Sequence, residues 1–356
     1  MGRLAPLLAL ALLVSSCGEA TRIAAASSAT AAATAAPTAT ASPTPTPSSS
    51  STPSPTASSK PIADVLGQID PARLDAHLEA LTDVVSRDPR HPGHAKAVAY
   101  IKGQLAMLGT NVTVESQRTV YQGIPLENIF VTIDPLGAAP AATGWVLVSA
   151  HYDSVANRTP GWRPGFDPAP GADDNATGTA ALLEFARIVS ADRGRLRTRL
   201  VLAFFDGEEL FFKGSGAYMA TLARPYPYRA AINLDMVGFN PIADRLDLLW
   251  YTNASAGLRD RVIKANDTYQ IGVAPLNAQY AADGDTIMDA APFGIAGIPS
   301  IALCQRYGEN DATFPGNYTF HTVNDTPDKI GNKRLWLKAS KLTLATALEL
   351  AGESAR

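Results

Sequence analysis

The sequence predicts an α/β fold, a mostly parallel central sheet with helices on both faces, and three observations predict it. First, the runs WVLVSA, RLVLAFF and AINL are mostly apolar and β-branched or Leu-rich rather than alternating, the pattern of strands buried on both faces. Second, helical stretches follow the central strands, at Ala180 to Ser190 after the DDNATG turn and Gly216 to Leu222 after DGEE. Such strand-then-helix alternation builds a parallel sheet covered by helices. Third, the runs end in acidic or imidazole groups: His151 and Asp153, then Asp206, Glu208 and Glu209, then Asp235. Ligands of open α/β sheets bind outside the carboxyl ends of the strands, so these groups are expected to face one point.

The chain of 356 residues is 46% hydrophobic and 18% charged with net charge −3, which suits a sizeable core and argues against a nucleic-acid partner. Residues 1–17 carry Arg3, an apolar run from Leu4 to Val14, and small residues before Cys17. A transmembrane helix needs ~20 apolar residues, so this shorter run is read as an export signal. The small residues before Cys17 resemble a bacterial lipobox, whose Cys becomes the lipidated first residue of an exported, envelope-held protein; an ordinary cleaved signal peptide is the alternative. That lipid is the only membrane contact expected. Residues 18–60 are almost wholly Ala, Thr, Ser and Pro, too poor in large apolar groups to fold, and read as a disordered tether. With Cys17 lipidated, Cys304 has no disulfide partner within the chain.

Residues 61–356 are read as one catalytic domain. Asp70 caps a helix whose stripe is Leu74, Leu78, Leu81 and Val84. A second helix carries Val98, Ile101, Leu105 and Leu108 and stops at Gly109. His91 and His94 precede it in a Pro-Gly loop, which explains them more simply than metal binding does. NVTVESQRTV and ENIFVTIDP are strands by β-branched content, and a turn at Gly137 to Gly144 leads into the strand that ends at His151. RLDLLWYTN is a further strand, GLRDRVIKAND a helix, AGIPSIALCQ a late strand, and KRLWLKASKLTLATALELAG a closing amphipathic helix.

Zinc takes imidazole and carboxylate ligands, and two ions need roughly five protein ligands between them. The sequence offers His151, one of Asp173 and Asp174, Glu209, Asp235 and His321. One HxD or EE run means little, but several in order after strand-like runs rarely arise by chance.

HYDS, GADDNATG, FFDGEE, NLDMVG and HTVNDTPDKI match, in order and approximate spacing, the co-catalytic two-zinc exopeptidases of metallopeptidase family 28, which the chain resembles over about residues 70–350. The resemblance implies a zinc-exopeptidase, phosphorylase/hydrolase-like fold and an aminopeptidase acting on peptides with two Zn2+ per chain. It assigns His151 and Asp235 to one zinc and Glu209 and His321 to the other. It selects Asp174 as the bridge, followed by a cis peptide bond. Glu208 is the implied general base, and Asp153 the carboxylate that takes the His151 N–H. Asp173 is left to stabilise the turn, and Asp206 to end its strand as a structural group. In AAPFGIAGIPSIAL, Phe293 and Gly297-Ile298-Pro299 match the family's pocket segment and Asp289 keeps its Asp. Met288 and Ala290 replace the usual Ser and His, and Phe320 replaces a Tyr that precedes the second His in some relatives. Tyr318 and Tyr307 are the candidates to substitute for that Tyr. Glutaminyl-peptide cyclotransferases share HYDS and FFDGEE, and form the alternative reading.

Overall fold

The computed structural model describes residues 60–137, 141–274, 276–281, 288–305, 310–311, 314–315 and 317–354. Cys17, the tether up to residue 59 and Tyr307 lie outside the described residues. Eight strands form one sheet in the order β1-β2-β4-β3-β5-β8-β6-β7. They are β1 (Thr113–Tyr121), β2 (Ile124–Ile133), β3 (Trp145–His151), β4 (Leu200–Phe205), β5 (Tyr228–Asp235), β6 (Leu246–Trp250), β7 (Leu276–Tyr280) and β8 (Ser300–Cys304). The central strands β4, β3, β5 and β8 run parallel. The β1-β2 hairpin joins one side antiparallel, and β6 pairs antiparallel with β8 on the other.

Period-two alternation sends the side chains of β3 and β4 to two cores on opposite faces of the sheet. Val146, Val148, Leu200, Leu202 and Phe204 face the larger. There they meet α2 (Pro71–Thr82), α3 (Pro92–Ala106), α4 (Thr177–Ala191), α6 (Ala256–Thr268) and α8 (Lys333–Gly352), with the short α1 (Ile62–Leu66) at its margin. Leu147, Val201, Ala203 and Phe205 face the smaller core, against α5 (Lys213–Thr221) and α7 (Ala291–Ile295). The continuous apolar strands therefore reflect helices on both faces, as the sequence predicts.

Asp70 accepts the Ala72 N–H at 2.9 Å and caps α2 as expected. α3 departs from expectation at both ends. It starts at Pro92 with His91 as its cap, since a proline lacks the N–H that a first-turn residue leaves unbonded. It ends at Ala106, and Gly109, with φ of 63°, lies beyond. The sequence predicts no element at α1, α7 or β7, which are all five residues long and too short for a period to register.

Close packing of α4 on β5 depends on Gly178. A Cβ there would lie 2.5 Å from Asn175 Oδ1 and 2.8 Å from the Leu234 carbonyl. Gly178→Ala is expected to destabilise the fold by about 1–3 kcal/mol, measured by urea denaturation. An unchanged midpoint would show that α4 can slide away from β5 freely.

Candidate metal centre

The sheet order places β3 between β4 and β5, so the carboxyl ends of three parallel strands lie side by side. His151 and Asp235 are the last residues of β3 and β5. Beyond β4 the chain turns at Gly207, with φ of +67° and Leu126 packed where a Cβ would stand, and presents Glu208 and Glu209. Their backbone N–H groups donate to the two carboxylate oxygens of Asp153, each at 3.2 Å. The Asp153 carboxylate also stands 3.4 Å from His151 Nδ1, but its backbone carbonyl is nearer, at 3.2 Å. Asp153 thus fixes the imidazole and, in addition, the loop after β4.

Asp173, Asp174 and Asn175 form a buried turn, and the Asp174–Asn175 peptide bond is cis. Asn175 donates to the Leu234 carbonyl at 2.8 Å and accepts from the Gly178 N–H at 3.0 Å, tying the turn to β5 and α4. Asp325 accepts the N–H groups of Asp173 and Asp174, both at 3.1 Å. Asp173 points away from the centre and accepts from the Gly238 N–H at 2.8 Å and Asn317 Nδ2 at 2.9 Å. Asp174 points in. Its Oδ1 lies 3.2 Å from His151 Nε2 and its Oδ2 3.1 Å from His321 Nε2. Glu209 is 2.8 Å from His321 Nε2 and Asp235 is 3.4 Å from His151 Nε2. The five expected ligands converge, with Asp174 between the two imidazoles.

Several converging atoms lack aligned hydrogen bonds although they are buried: His151 Nε2, Asp174 Oδ2, Glu209 Oε1 and Asp235 Oδ1. Native proteins rarely leave such atoms unmatched. Burial, then repulsion from Asp174, pushes Glu209 up to about 7, and the same causes push Asp325 to about 7. Burial opposes charge on His321, but Glu209 and Asp174 outweigh it and raise His321 to about 10. Burial also opposes ionisation of Asp174, yet His151 and His321 hold it below the usual carboxylate range. A positive charge at this point would match all these groups, and two imidazoles with three carboxylates are a donor set that suits zinc.

One positive charge already lies behind the centre, and sequence reading missed it. Arg87 is fully buried and donates to the backbone carbonyls of Leu81, Tyr152, Pro170 and Gly171. Burial lowers its pKa to about 10, while Asp325, Asp174, Asp153 and Glu209 oppose that shift. Asp289 is buried beneath the centre and is pushed to about 7, chiefly by burial. His91 and His94 are no part of the centre: His91 caps α3, and His94 Nε2 stands 3.0 Å from both oxygens of Asp206. Cys304 is fully buried, as expected of a small hydrophobe.

The centre opens into a cleft of about 260 Å³ lined by Asp174, Glu208, Glu209, Asp235, His321 and the apolar Phe211, Phe212, Met236, Met288 and Phe320. Phe211, Phe212, Met236 and His321 all have φ between 50° and 66°, a region that side chains other than Gly seldom enter and that recurs at functional sites. His321 is held there from outside. Phe320 stacks on its ring at 3.6 Å, and Arg158 donates its N–H to the His321 carbonyl and Nη1 to the Phe320 carbonyl. Tyr318 is 70% exposed, stands edge-on to Phe239 and does not line the cleft.

With this geometry established, comparison with known proteins decides the family. The model described as peptidase family M28 matches residues 128–346, more than half of the chain. The chain belongs to peptidase family M28. Family membership makes it a peptide hydrolase of the metallopeptidase type. Aminopeptidase YwaD of Bacillus subtilis is 30% identical over 205 residues, covering 56% of this chain, which spans only 40% of that relative's length. The LapA aminopeptidase of Legionella pneumophila superposes with a TM-score of 0.67 at 20% identity, over 83% of this M28 chain and 75% of LapA. Glutaminyl cyclase of Porphyromonas gingivalis gives 0.65 at 22% identity, over 79% and 99% of the two chains. Both likenesses establish the mixed α/β fold of the M28 chain.

Proposed function

We propose that this M28 protein is a two-zinc aminopeptidase. The observation that carries the reading is the Asp174 carboxylate, with one oxygen 3.2 Å from His151 and the other 3.1 Å from His321. His151, Asp235 and Asp174 would hold one ion, and Glu209, His321 and Asp174 the other. Bound zinc supplies polarisation of the scissile carbonyl and a lowered pKa of water.

The chain's own residues do the rest. Glu208 lines the cleft without belonging to the five ligands, so it takes the proton of the attacking water and returns it to the leaving amine. Asp153 holds the backbone of Glu208 and fixes the His151 ring. The apolar wall of Phe211, Phe212, Met288 and Phe320 accepts the first side chain. His151, Glu208 and Asp235 also lie within metal-holding distance of one another, so Glu208 as a ligand is the competing assignment.

The glutaminyl cyclase reading has support in the near-equal superpositions. A peptide beginning with Leu and one beginning with Gln, each incubated with zinc-loaded protein and followed by mass spectrometry, separate the two. The expected result is loss of the first residue, abolished by a chelator and restored by zinc. Loss of ammonia from the Gln peptide alone would overturn the aminopeptidase. We place the enzyme outside the cytoplasm, held by a lipid on Cys17 through the tether; the support is the sequence of residues 1–60. Among the described residues no helix is long and apolar enough to cross a membrane.

A further inference from the structure

The residues lining the cleft of the candidate metal centre differ in depth. Asp174, Asp235, Met236 and Met288 are at most 4% exposed, whereas Asn157 lines the same cleft and is exposed. At the ~30 Å³ that a water molecule takes in the liquid, the cleft of about 260 Å³ holds on the order of ten non-hydrogen atoms. That is close to one leucine residue. An N-terminal residue therefore fills the cleft, and the second residue of a peptide lies at its mouth, where Asn157 stands.

Asn157 is held there by its neighbours and not by its own side chain. The Arg158 N–H donates to the His321 carbonyl at 2.9 Å, and Arg158 Nη1 donates to the Phe320 carbonyl at 3.0 Å. The Val323 N–H donates to Thr159 Oγ1 at 2.9 Å, and the Thr159 N–H to the Ala156 carbonyl at 2.9 Å. These bonds brace the segment against the stretch that carries His321. The Asn157 side-chain amide makes no hydrogen bond among the described residues. It is also the one amide among the described side chains that line the cleft. Ionised carboxylates accept hydrogen bonds and donate none, whereas an amide nitrogen carries two donor hydrogens.

A peptide brings to this mouth one acceptor that the reaction leaves unused. The scissile carbonyl and N–H are engaged in the cleavage itself. The carbonyl of the second residue gives up water on entry, and a polar group left unmatched is costly, so it needs a new donor. We propose that Asn157 Nδ2 donates to the carbonyl oxygen of the second residue, so that the site selects peptides over simple amides of a single amino acid. The inference rests on the aminopeptidase reading of the same cleft.

The test compares kcat/KM for Leu-Gly-Gly with that for leucine p-nitroanilide, which has a scissile bond and no second-residue carbonyl, in zinc-loaded wild type, Asn157→Ala and Asn157→Asp. Asn157 is exposed and its segment is braced through other residues, so both variants are expected to fold. Alanine removes the amide; aspartate keeps its size and its acceptor and removes the donor. Each substitution is expected to lower the ratio of tripeptide to anilide about two- to tenfold, the range that one neutral hydrogen bond covers. Calorimetric titration of Leu-Gly-Gly into zinc-loaded Glu208→Gln protein, with and without Asn157→Ala, should show the same weakening without turnover. A ratio that stays constant would overturn the proposal, whether both substrates suffer equally or neither suffers. So would an aspartate variant that matches wild type. Wild-type protein that cleaves neither compound would overturn the aminopeptidase reading and this inference with it, an outcome distinct from active wild type with indifferent variants.

Discussion

Glu208→Gln is expected to retain zinc at the wild-type level and lose about 10²–10⁴-fold in kcat, the range assigned to a positioned general base. Glutamine keeps the shape of the side chain and its place on the cleft wall. It cannot accept a proton from water. The backbone beneath is held independently, through the Glu208 and Glu209 N–H groups on Asp153, so the substitution leaves the ligand Glu209 in position. Burial, followed by the charges of Glu209, Asp235 and Asp289, raises Glu208 well above the ordinary carboxylate range, against the opposing pull of His151. Metal analysis by plasma mass spectrometry beside steady-state kinetics separates the outcomes. A fully metallated, fully active variant would remove Glu208 from proton transfer, and a variant that loses metal would make it a ligand.

Much of the site was legible because chemistry and fold place the same residues at strand ends. His151 and Asp235 close two buried runs, and the parallel direction of β3, β4 and β5 follows from the alternation of strands with helices. What could not be read was the support around the ligands. Arg87 sits in the polar stretch SRDPRHPGH, where nothing local distinguishes it from the exposed arginines of the chain. Its burial depends on carbonyls contributed by residues as far along the chain as Gly171. Asp325 lies within HTVNDTPD, yet its task, holding the Asp173 and Asp174 N–H groups, joins positions about 150 apart. Asp206 was read as a strand end and proves to be the partner of His94. Contacts between distant segments leave no period or spacing in the sequence, whereas strand ends do.

Asp174→Asn carries the second large effect, because this one side chain stands between both imidazoles. Asparagine preserves volume and one oxygen but removes the negative charge and replaces the other oxygen with a donor, which no cation accepts as a ligand. Loss of groups that merely support a metal ligand costs ~10–100-fold in metal affinity. A charged ligand shared by two ions should cost more, and activity is expected to fall below ~1% at matched zinc. Thermal stability offers a reading free of turnover. Zinc that binds only the folded chain raises the melting temperature by an amount that grows with the logarithm of its concentration over Kd, so the wild type should show a clear zinc-dependent shift and Asp174→Asn a smaller one. The metal-free variant should still fold, since Asn175 and Asp325, not the Asp174 carboxylate, hold the turn in place. If the variant bound two zincs per chain with unchanged affinity, Asp174 would not be the bridge, and the two imidazoles would have to be joined through Glu209 or solvent instead.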